Sequence, residues 1–326
     1  MATSGTISTT VFDTNDVIDE AYSLCGLAPQ QITPEMQDRA KKQLYLQLSS
    51  MGNTSIPLWA MDKKILPLTE GQQTVSTPVG TIDVLNAQYR TLSQYTGTEG
   101  TRLGGVTTQF ASATQVTSVG VKLAGTFNLI FETSNDGATW TQVGSSGSTT
   151  FSTTAWSWFD IDGPLGATYF CIRDQAGSTL SLTASYLGGG PYEVPMARLN
   201  KDDYQQLPNK VFPGRPLQFW LDRQVDGPVM RLWPAADATV AQIVILRHRH
   251  IMDVGTLQQT LEIPQRWFDA ICSRLGYRLA MRTPQVDPGR AALIQPVMLK
   301  AEMDAWAEER DNSPVRITFD NSAYTR

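Results

Sequence analysis

The sequence predicts an α+β fold with a helical core, antiparallel strands and an inserted all-β sandwich domain. Helical periodicity is confined to the two ends of the chain, where apolar residues recur every three or four positions. Short apolar runs separated by turn residues lie between these ends, a pattern typical of antiparallel strands. Residues 91 to 190 contain 46 Ser, Thr or Gly and only 9 charged residues, so the composition shifts there. We therefore expect a discontinuous core (1–95 and 191–310), an insertion (96–190) and an extended tail (311–326).

Four helices are predicted. The first, Asp13 to Gly26, and the second, Pro34 to Met51, are amphipathic and close in sequence, so they should form an antiparallel hairpin. The third, Pro264 to Arg282, has the strongest helical period in the chain. A fourth should begin at Asp287 and be kinked or split at Pro296, because proline lacks the donor that a helix interior needs.

Strands are predicted in both the core and the insertion. In the core they are Lys63–Thr69, Thr81–Arg90 and Val240–His250. In the insertion they are Val119–Leu123, Phe127–Phe131, Trp156–Phe159, Tyr169–Ile172 and Leu180–Leu182. A tight turn is expected at Asn135–Gly137, and linkers to the core at Thr96–Gly105 and Gly188–Pro191.

The stretch from Tyr204 to Trp233 predicts a rigid loop followed by a hairpin. Its strands should be Leu217–Arg223 and Val229–Trp233, joined by a turn at Gln224–Pro228. Its prolines fix φ and its glycine permits unusual backbone angles, so the loop should hold one shape. No arrangement in it would cut, transfer or oxidise a substrate, so we interpret it as a scaffold. Its structural residues are Pro208, Asn209, Lys210, Gly214, Arg215, Pro216, Trp220, Arg223 and Trp233.

His248 and His250 are the two histidines of the chain, and strand alternation would place them on one face. With Asp253 or Glu262 they could ligate a metal, yet the sequence offers no evident third and fourth ligand. A structural or interface role is favoured over a metal site.

Catalytic chemistry finds little support. Cys25, Cys171 and Cys272 are far apart, odd in number and without metal-ligand spacing, so we expect buried free thiols made in a reducing cytoplasm. The acidic pairs Asp202–Asp203 and Glu308–Glu309 are adjacent residues that would point apart on a helix, unlike the facing carboxyls of a glycosidase. We predict no catalytic, cofactor-binding or metal-binding residue, no cofactor and no enzymatic activity.

Two groups of aromatic and apolar residues point to binding. Trp156 and Trp158 share one strand face of the insertion and could stack on a sugar, although aromatics in a small sandwich more often form its core. Ile317, Phe319 and Tyr324 lie in a polar tail without helical period, where a segment that docks on a partner would carry them. Packing of this tail on its own domain is the alternative.

Charge and hydropathy limit the partners. The formal net charge is −5, so the chain lacks the basic balance of a protein that reads DNA sequence, although a mildly acidic wall would let DNA slide past. No apolar run approaches the length that spans a bilayer, and no membrane partner is expected.

Several motifs together resemble the head–tail adaptor (tail accessory factor) family of short-tailed bacteriophages. They are "IPLWAMDKKILPL", "TIDVLNAQYR", "LNKDDYQQLPNK", "GRPLQFWLDRQ", "MRLWP" and "LEIPQRWFDAICSRLGYRLA". The resemblance covers roughly residues 10 to 95 and 192 to 310, whereas residues 96 to 190 depart from the family pattern and look like a jelly-roll insertion.

The resemblance implies a structural virion protein at the head–tail junction, assembled in the host cytoplasm. It would form a homo-oligomeric ring, expected to be a dodecamer, beneath the portal protein. The ring would line the DNA exit channel without sequence-specific binding and contact the next tail protein, a nozzle, tail tube or fibre. Helices Asp13–Met51 and Pro264–Arg310 would build the ring, Leu207–Trp233 would brace it, and Asn312–Arg326 would reach the portal.

Two other functions remain open from the residues. One is a carbohydrate-binding tail protein that acts through the inserted sandwich. The other is a hydrolase of the cell wall, which would need a nucleophile or carboxylate pair that the sequence does not reveal.

Overall fold

The computed structural model describes residues 12–54, 58–164, 166–225, 227–237, 241–251 and 255–309. The chain divides into two compact units, the first formed by Met1–Met61 with His250–Arg326 and the second by Asp62–Arg249. We call them the helical unit and the strand unit, after the elements that predominate in their described parts. The predicted α+β class with antiparallel sheets and a sandwich-like portion is confirmed. None of the described helices is long and apolar enough to cross a membrane.

The helical unit contains α1 (Thr14–Leu24), α2 (Pro34–Thr54), α4 (Phe268–Ala280) and α5 (Pro288–Glu308), whereas α3 (Lys201–Gln206) belongs to the strand unit. Asp13 begins α1 through a reciprocal capping box, which satisfies backbone donors that have no partner inside the helix. Helix α4 packs against α1, α2 and α5, and it carries the fully buried Leu275. The amphipathic stripes seen in the sequence therefore meet in one apolar cluster.

The predicted split at Pro296 is wrong, because α5 continues from Pro288 to Glu308 with Pro296 in its interior, whereas the predicted kink stays a prediction. Proline removes a backbone donor and crowds the carbonyl four residues earlier, here that of Ala292. Both residues are exposed, so water can hydrate the carbonyl that loses its partner. The exposed position of Pro296 therefore lowers the free-energy cost of a proline inside the helix.

The described part of the strand unit contains three sheets besides α3. Their strands are β1 (Met61–Leu68), β2 (Thr74–Ser76), β3 (Thr81–Tyr95), β4 (Thr98–Arg102), β5 (Gly105–Thr114), β6 (Ser118–Lys122), β7 (Gly125–Ser134), β8 (Thr141–Phe151), β9 (Ser157–Asp160), β10 (Ala167–Asp174), β11 (Ala184–Pro195), β12 (Ala197–Leu199), β13 (Gln218–Gln224), β14 (Gly227–Trp233) and β15 (Ala241–Arg249). The strand orders are β1-β15-β3-β11-β6-β9, β4-β5-β10-β7-β8 and β12-β13-β14-β2.

The six-stranded sheet takes part in two apolar clusters. Buried residues of its β1, β3 and β15 form one cluster with buried residues of β13 and β14, which include Phe219 and Met230. Its β6 and β11 share a second cluster with β5, β7, β8 and β10, which includes Phe131 and Phe170. One sheet is thus common to the predicted core and the predicted insertion. The boundaries at 95 and 190 stay predictions.

Two of the predicted linkers are strands instead. Residues 98–102 form β4, which pairs with β5 as a hairpin, and Gly188, Gly189 and Gly190 lie inside β11. A side-chain carbon at Gly189 would lie 2.2 Å from the Tyr95 ring, so glycine lets that ring cross the strand. The glycine run therefore reflects close packing of β11 rather than a hinge.

One predicted strand is absent from the described structure. Leu180–Leu182 lies in the irregular connection between β10 and β11. Leu180 is buried in the sandwich cluster, and its amide donates to the carbonyl of Gly104 at 2.8 Å. Its apolar side chain marks core packing in a loop, which alternation alone does not distinguish from a strand.

Candidate interaction site

Lys210 lies near the start of the rigid loop of residues 207–217 and caps the end of α3. Its Nζ donates to the carbonyl oxygens of Gln205 at 3.0 Å and Leu207 at 3.4 Å, and it lies 5.6 Å from the centre of the Tyr204 ring. A cation is favoured there because the last carbonyls of a helix carry partial negative charge. Next to it, Asn209 has a left-handed φ of 38°, a conformation that asparagine tolerates.

The loop is held to the residues that follow the hairpin by main-chain hydrogen bonds. The amide of Ala235 donates to the carbonyl of Phe212 at 3.0 Å, and the amide of Gly214 donates back to the carbonyl of Ala235 at 2.8 Å. A side-chain carbon at Gly214 would lie 3.2 Å from Pro234, which explains the small residue. Pro208 is exposed and Pro216 is buried. The predicted rigid loop thus has a physical basis.

The hairpin was predicted to within a few residues at each end. Strands β13 and β14 pair in antiparallel register, from Gln218 opposite Trp233 to Gln224 opposite Gly227. Trp220 packs 5.5 Å from the ring of Tyr204 on α3. Trp233 is half-buried, and its indole nitrogen has no acceptor among the described residues.

Charged residues of the hairpin are paired. Arg223 lies 2.8 Å from Asp83 of β3, and Arg231 donates to Asp222 at 3.0 Å. Hydrogen bonds from Arg231 hold the pKa of Asp222 below its usual range, aided by Gln224. These pairs orient the strands, which fits the structural role predicted for Arg223.

Arg215 lies between two aromatic rings. Its guanidinium carbon is 5.4 Å from the centre of the Tyr89 ring and 5.3 Å from that of Tyr192. Both distances are in the range of cation–π attraction. Its Nε and Nη2 are buried and have no acceptor among the described residues. The contacts with β3 and β11 could not be predicted, because Tyr89 and Tyr192 lie far from Arg215 in sequence.

The two tryptophans of the predicted glycan face differ in exposure. Trp158 is 9% exposed and packs edge-on against Tyr186, with ring centres 5.3 Å apart. Trp156 is half-buried, and Lys122 Nζ lies 4.7 Å above its ring. Gly120 lies beneath Trp158, where a side-chain carbon would come within 2.7 Å of the indole. Trp158 is therefore part of the packed interior, and glycan stacking stays a prediction that Trp156 would carry.

The tail residues Ile317, Phe319 and Tyr324 lie outside the described part of the chain. The predicted contact of this tail with a partner stays a prediction.

The cysteine thiols are buried and unreactive in character. All three are free, and burial raises the pKa of Cys25 to about 11 and that of Cys272 to about 12. Burial likewise raises the pKa of Cys171. A thiol with such a pKa is not a nucleophile at neutral pH, because the thiolate is the reactive form.

Across the described ranges, no group of three or more His, Cys, Asp or Glu residues could hold a metal ion. His248 is buried in β15, whereas His250 is exposed beyond the strand end. Register shifts before Arg247 and before Arg249 interrupt the alternation on which the shared face was predicted.

Two further features of the structure were missed from the sequence. Arg247 is buried, and its guanidinium binds Asp62 at 2.6 Å and the carbonyls of Pro78 and Val79. The second is the outer face of α5, which keeps large apolar side chains exposed. A period count of apolar residues on that helix could have found it.

No family model and no curated protein matches this chain. Among solved structures, it is similar to the C-terminal domain of a chitobiase from Bacteroides fragilis, at 16% identity and a TM-score of 0.22, over 26% of this chain and 62% of that one. It is similar to a family 89 glycoside hydrolase from Clostridium perfringens, at 8% identity and a TM-score of 0.23, over 41% of this chain and 15% of that one. It is also similar to a chitosan-binding module of a Paenibacillus chitosanase/glucanase, at 13% identity and a TM-score of 0.22, over 41% of this chain and 100% of that one.

The chain thus spans less than two thirds of the first two of these structures. At these TM-scores the likeness carries no argument about fold or function.

Proposed function

We propose that this chain is a structural virion protein, a head-to-tail adaptor that joins the portal to the tail as a ring and lines the DNA exit channel. One observation carries the proposal. Four of the segments that resemble the adaptor family contribute residues to two of the buried clusters. "TIDVLNAQYR" is the first part of β3, "GRPLQFWLDRQ" contains β13, "MRLWP" includes the end of β14, and "LEIPQRWFDAICSRLGYRLA" contains α4. The resemblance therefore concerns residues that determine the fold.

In this proposal, α1, α2, α4 and α5 form the helical core of the ring wall. The loop and hairpin of residues 207–233 brace the subunit, and residues 96–190 decorate it as an inserted sandwich. The formal charge of −5 suits a channel past which DNA slides without sequence-specific binding. We assign the chain no enzymatic activity and no cofactor, and we place it at the head–tail junction of the virion.

The test is the mass of the purified protein in solution, alone and mixed with the portal encoded beside it. Light scattering after size exclusion would distinguish a monomer of 35.9 kDa from a ring of twelve, about 430 kDa. A ring-sized species in either sample supports the adaptor. A monomer that ignores the portal refutes it.

Glycan binding through the sandwich is the second candidate, because Trp156 is only half-buried and lies beside Lys122. Saturable binding on a glycan array that Trp156→Ala abolishes would favour it. The buried Trp158 is unsuited to this test, since its replacement would destabilise the sandwich. Binding unchanged by Trp156→Ala, or no binding at all, would exclude this surface.

A further inference from the structure

Helix α5 is apolar on both of its sides. Its inner side buries Ile294 and Ala305 in the helical unit. A helix that is apolar all round is normally covered on all sides. Exposed large apolar side chains are found on the other side, namely Leu293 at 66%, Val297 at 51%, Leu299 at 48% and Met303 at 71%. This outer face therefore has the character of a contact surface.

The outer face of α5 ends in acidic residues. Asp304 and Glu308 are exposed and follow Lys300 at intervals of four, so the three lie on one side of the helix. Lys300 leaves a net charge of −1 on this end. The order along the helix is thus apolar first and acidic last.

A cleft of about 440 Å³ in the same unit has the opposite charge. It lies between α2 and the end of α4, and Arg39, Lys42 and Arg282 outnumber Glu35 on its walls. We call it the basic cleft. One turn further along α2, Tyr45 and Leu46 are 48% and 50% exposed. This surface therefore runs from basic to apolar along α2.

The two surfaces match when the helices run antiparallel. Arg39, Lys42 and Leu46 are spaced by three and four residues, and Glu308, Asp304 and Lys300 by four. Opposite directions bring Arg39 near Glu308 and Lys42 near Asp304, while the apolar residues of each helix meet beyond them. The stem of Lys300 can lie along the apolar contact with its ammonium in water.

We propose that the outer face of α5 in one copy docks on the basic cleft and the adjoining face of α2 in a second copy. The inference rests on the proposed ring. Two different patches meet in this contact, so it is head-to-tail and can repeat around a ring, as an adaptor requires. Charge complementarity between the patches sets their register and partner.

Two double variants test the contact. Asp304→Lys with Glu308→Lys reverses the α5 patch, and Arg39→Glu with Lys42→Glu reverses the basic cleft. Each variant alone should remain monomeric at concentrations at least tenfold above those at which the unchanged protein assembles. An equal mixture should assemble, because the reversed α5 fits the reversed cleft and the unchanged patches fit each other. Native mass spectrometry should find the two variants in equal numbers.

Glu70→Lys with Glu99→Lys is the matched control, since it reverses two exposed carboxylates of the strand unit. It should assemble like the unchanged protein. Circular dichroism should show native folding of every variant, because all the altered residues are exposed.

Rings formed by either reversed variant alone, at the concentration of the unchanged protein, overturn this contact and leave the adaptor proposal intact. Failure of the equal mixture to assemble overturns it as well. If the unchanged protein stays monomeric even with the portal, the adaptor proposal and this contact both fail. One set of mass measurements therefore distinguishes failure of this contact from failure of the adaptor proposal.

Discussion

Replacing Glu132 on β7 tests the electrostatics of the strand unit. Its side chain is 8% exposed, and its carboxylate accepts hydrogen bonds from Arg102 and, at 2.7 Å, from Arg173. Glu132→Gln keeps the shape but leaves both guanidiniums without their counter-charge. Breaking a buried pair costs about 3–5 kcal/mol, and we expect about 2 kcal/mol here because Arg102 and Arg173 keep 27% and 19% of their side chains exposed.

The loss of unfolding free energy in Glu132→Gln should be larger at neutral pH than in acid. The hydrogen bond and charge of Arg173, supported by Arg102, outweigh burial and hold the pKa of Glu132 below its usual value. The stabilisation by this carboxylate is therefore complete above the unfolded pKa of about 4.3 and disappears as pH falls through the folded pKa. The difference between the two proteins should be full near neutral pH and shrink in acid.

Urea unfolding followed by circular dichroism, at neutral and acid pH, measures both effects. Glu99→Gln, an exposed carboxylate of β4 in the same sheet, is the control and should change the free energy of unfolding by less than about 0.5 kcal/mol. Unfolding of Glu132→Gln at the wild-type urea concentration would refute the reasoning. So would a loss that persists undiminished in acid.

Three further predictions follow from burial and hydrogen bonding. Leu275→Ala should lower the free energy of unfolding by about 2–5 kcal/mol in urea, whereas exposed Leu293→Ala should change it little; equal effects would contradict the burial of Leu275. Lys210→Met should cost about 1 kcal/mol and speed proteolysis within residues 207–217, and unchanged cleavage would argue against its capping role. A thiol reagent near pH 8 should label the native protein slowly and the denatured protein at all three cysteines, Cys25, Cys171 and Cys272. Rapid labelling of the native protein would contradict their burial.

The sequence was most informative for the helices. Caps and amphipathic stripes are local signals, so Asp13, Pro34 and Pro288 mark helix starts that the structure repeats within a residue. The rigid loop was also predictable, because Pro216 fixes its φ wherever the chain folds. These features depend on neighbours in sequence.

Strand pairing depends on residues that are distant in sequence, and the predictions weakened there. Gly188 to Gly190 has the composition of a linker, and only the packing of Tyr95 against β11 shows why glycine is needed inside a strand. The sharing of one sheet between core and insertion follows from the pairing of β3 with β11, which composition does not encode. Arg215 shows the same limit at the candidate site, since its two tyrosines come from those strands.

The two long C-terminal helices show what periodicity measures. Helix α4 has a strong apolar stripe, and the stripe predicted its packing: it lies against α1, α2 and α5, and Asp269 is its only exposed residue. Helix α5 is also apolar, but its large side chains surround it, so the stripe weakens while the need for burial grows. A weak period in an apolar helix is therefore a signal in its own right: it indicates a helix that packs in its own unit on one side and binds a partner on the other. The proposed contact between copies is placed on α5 for this reason.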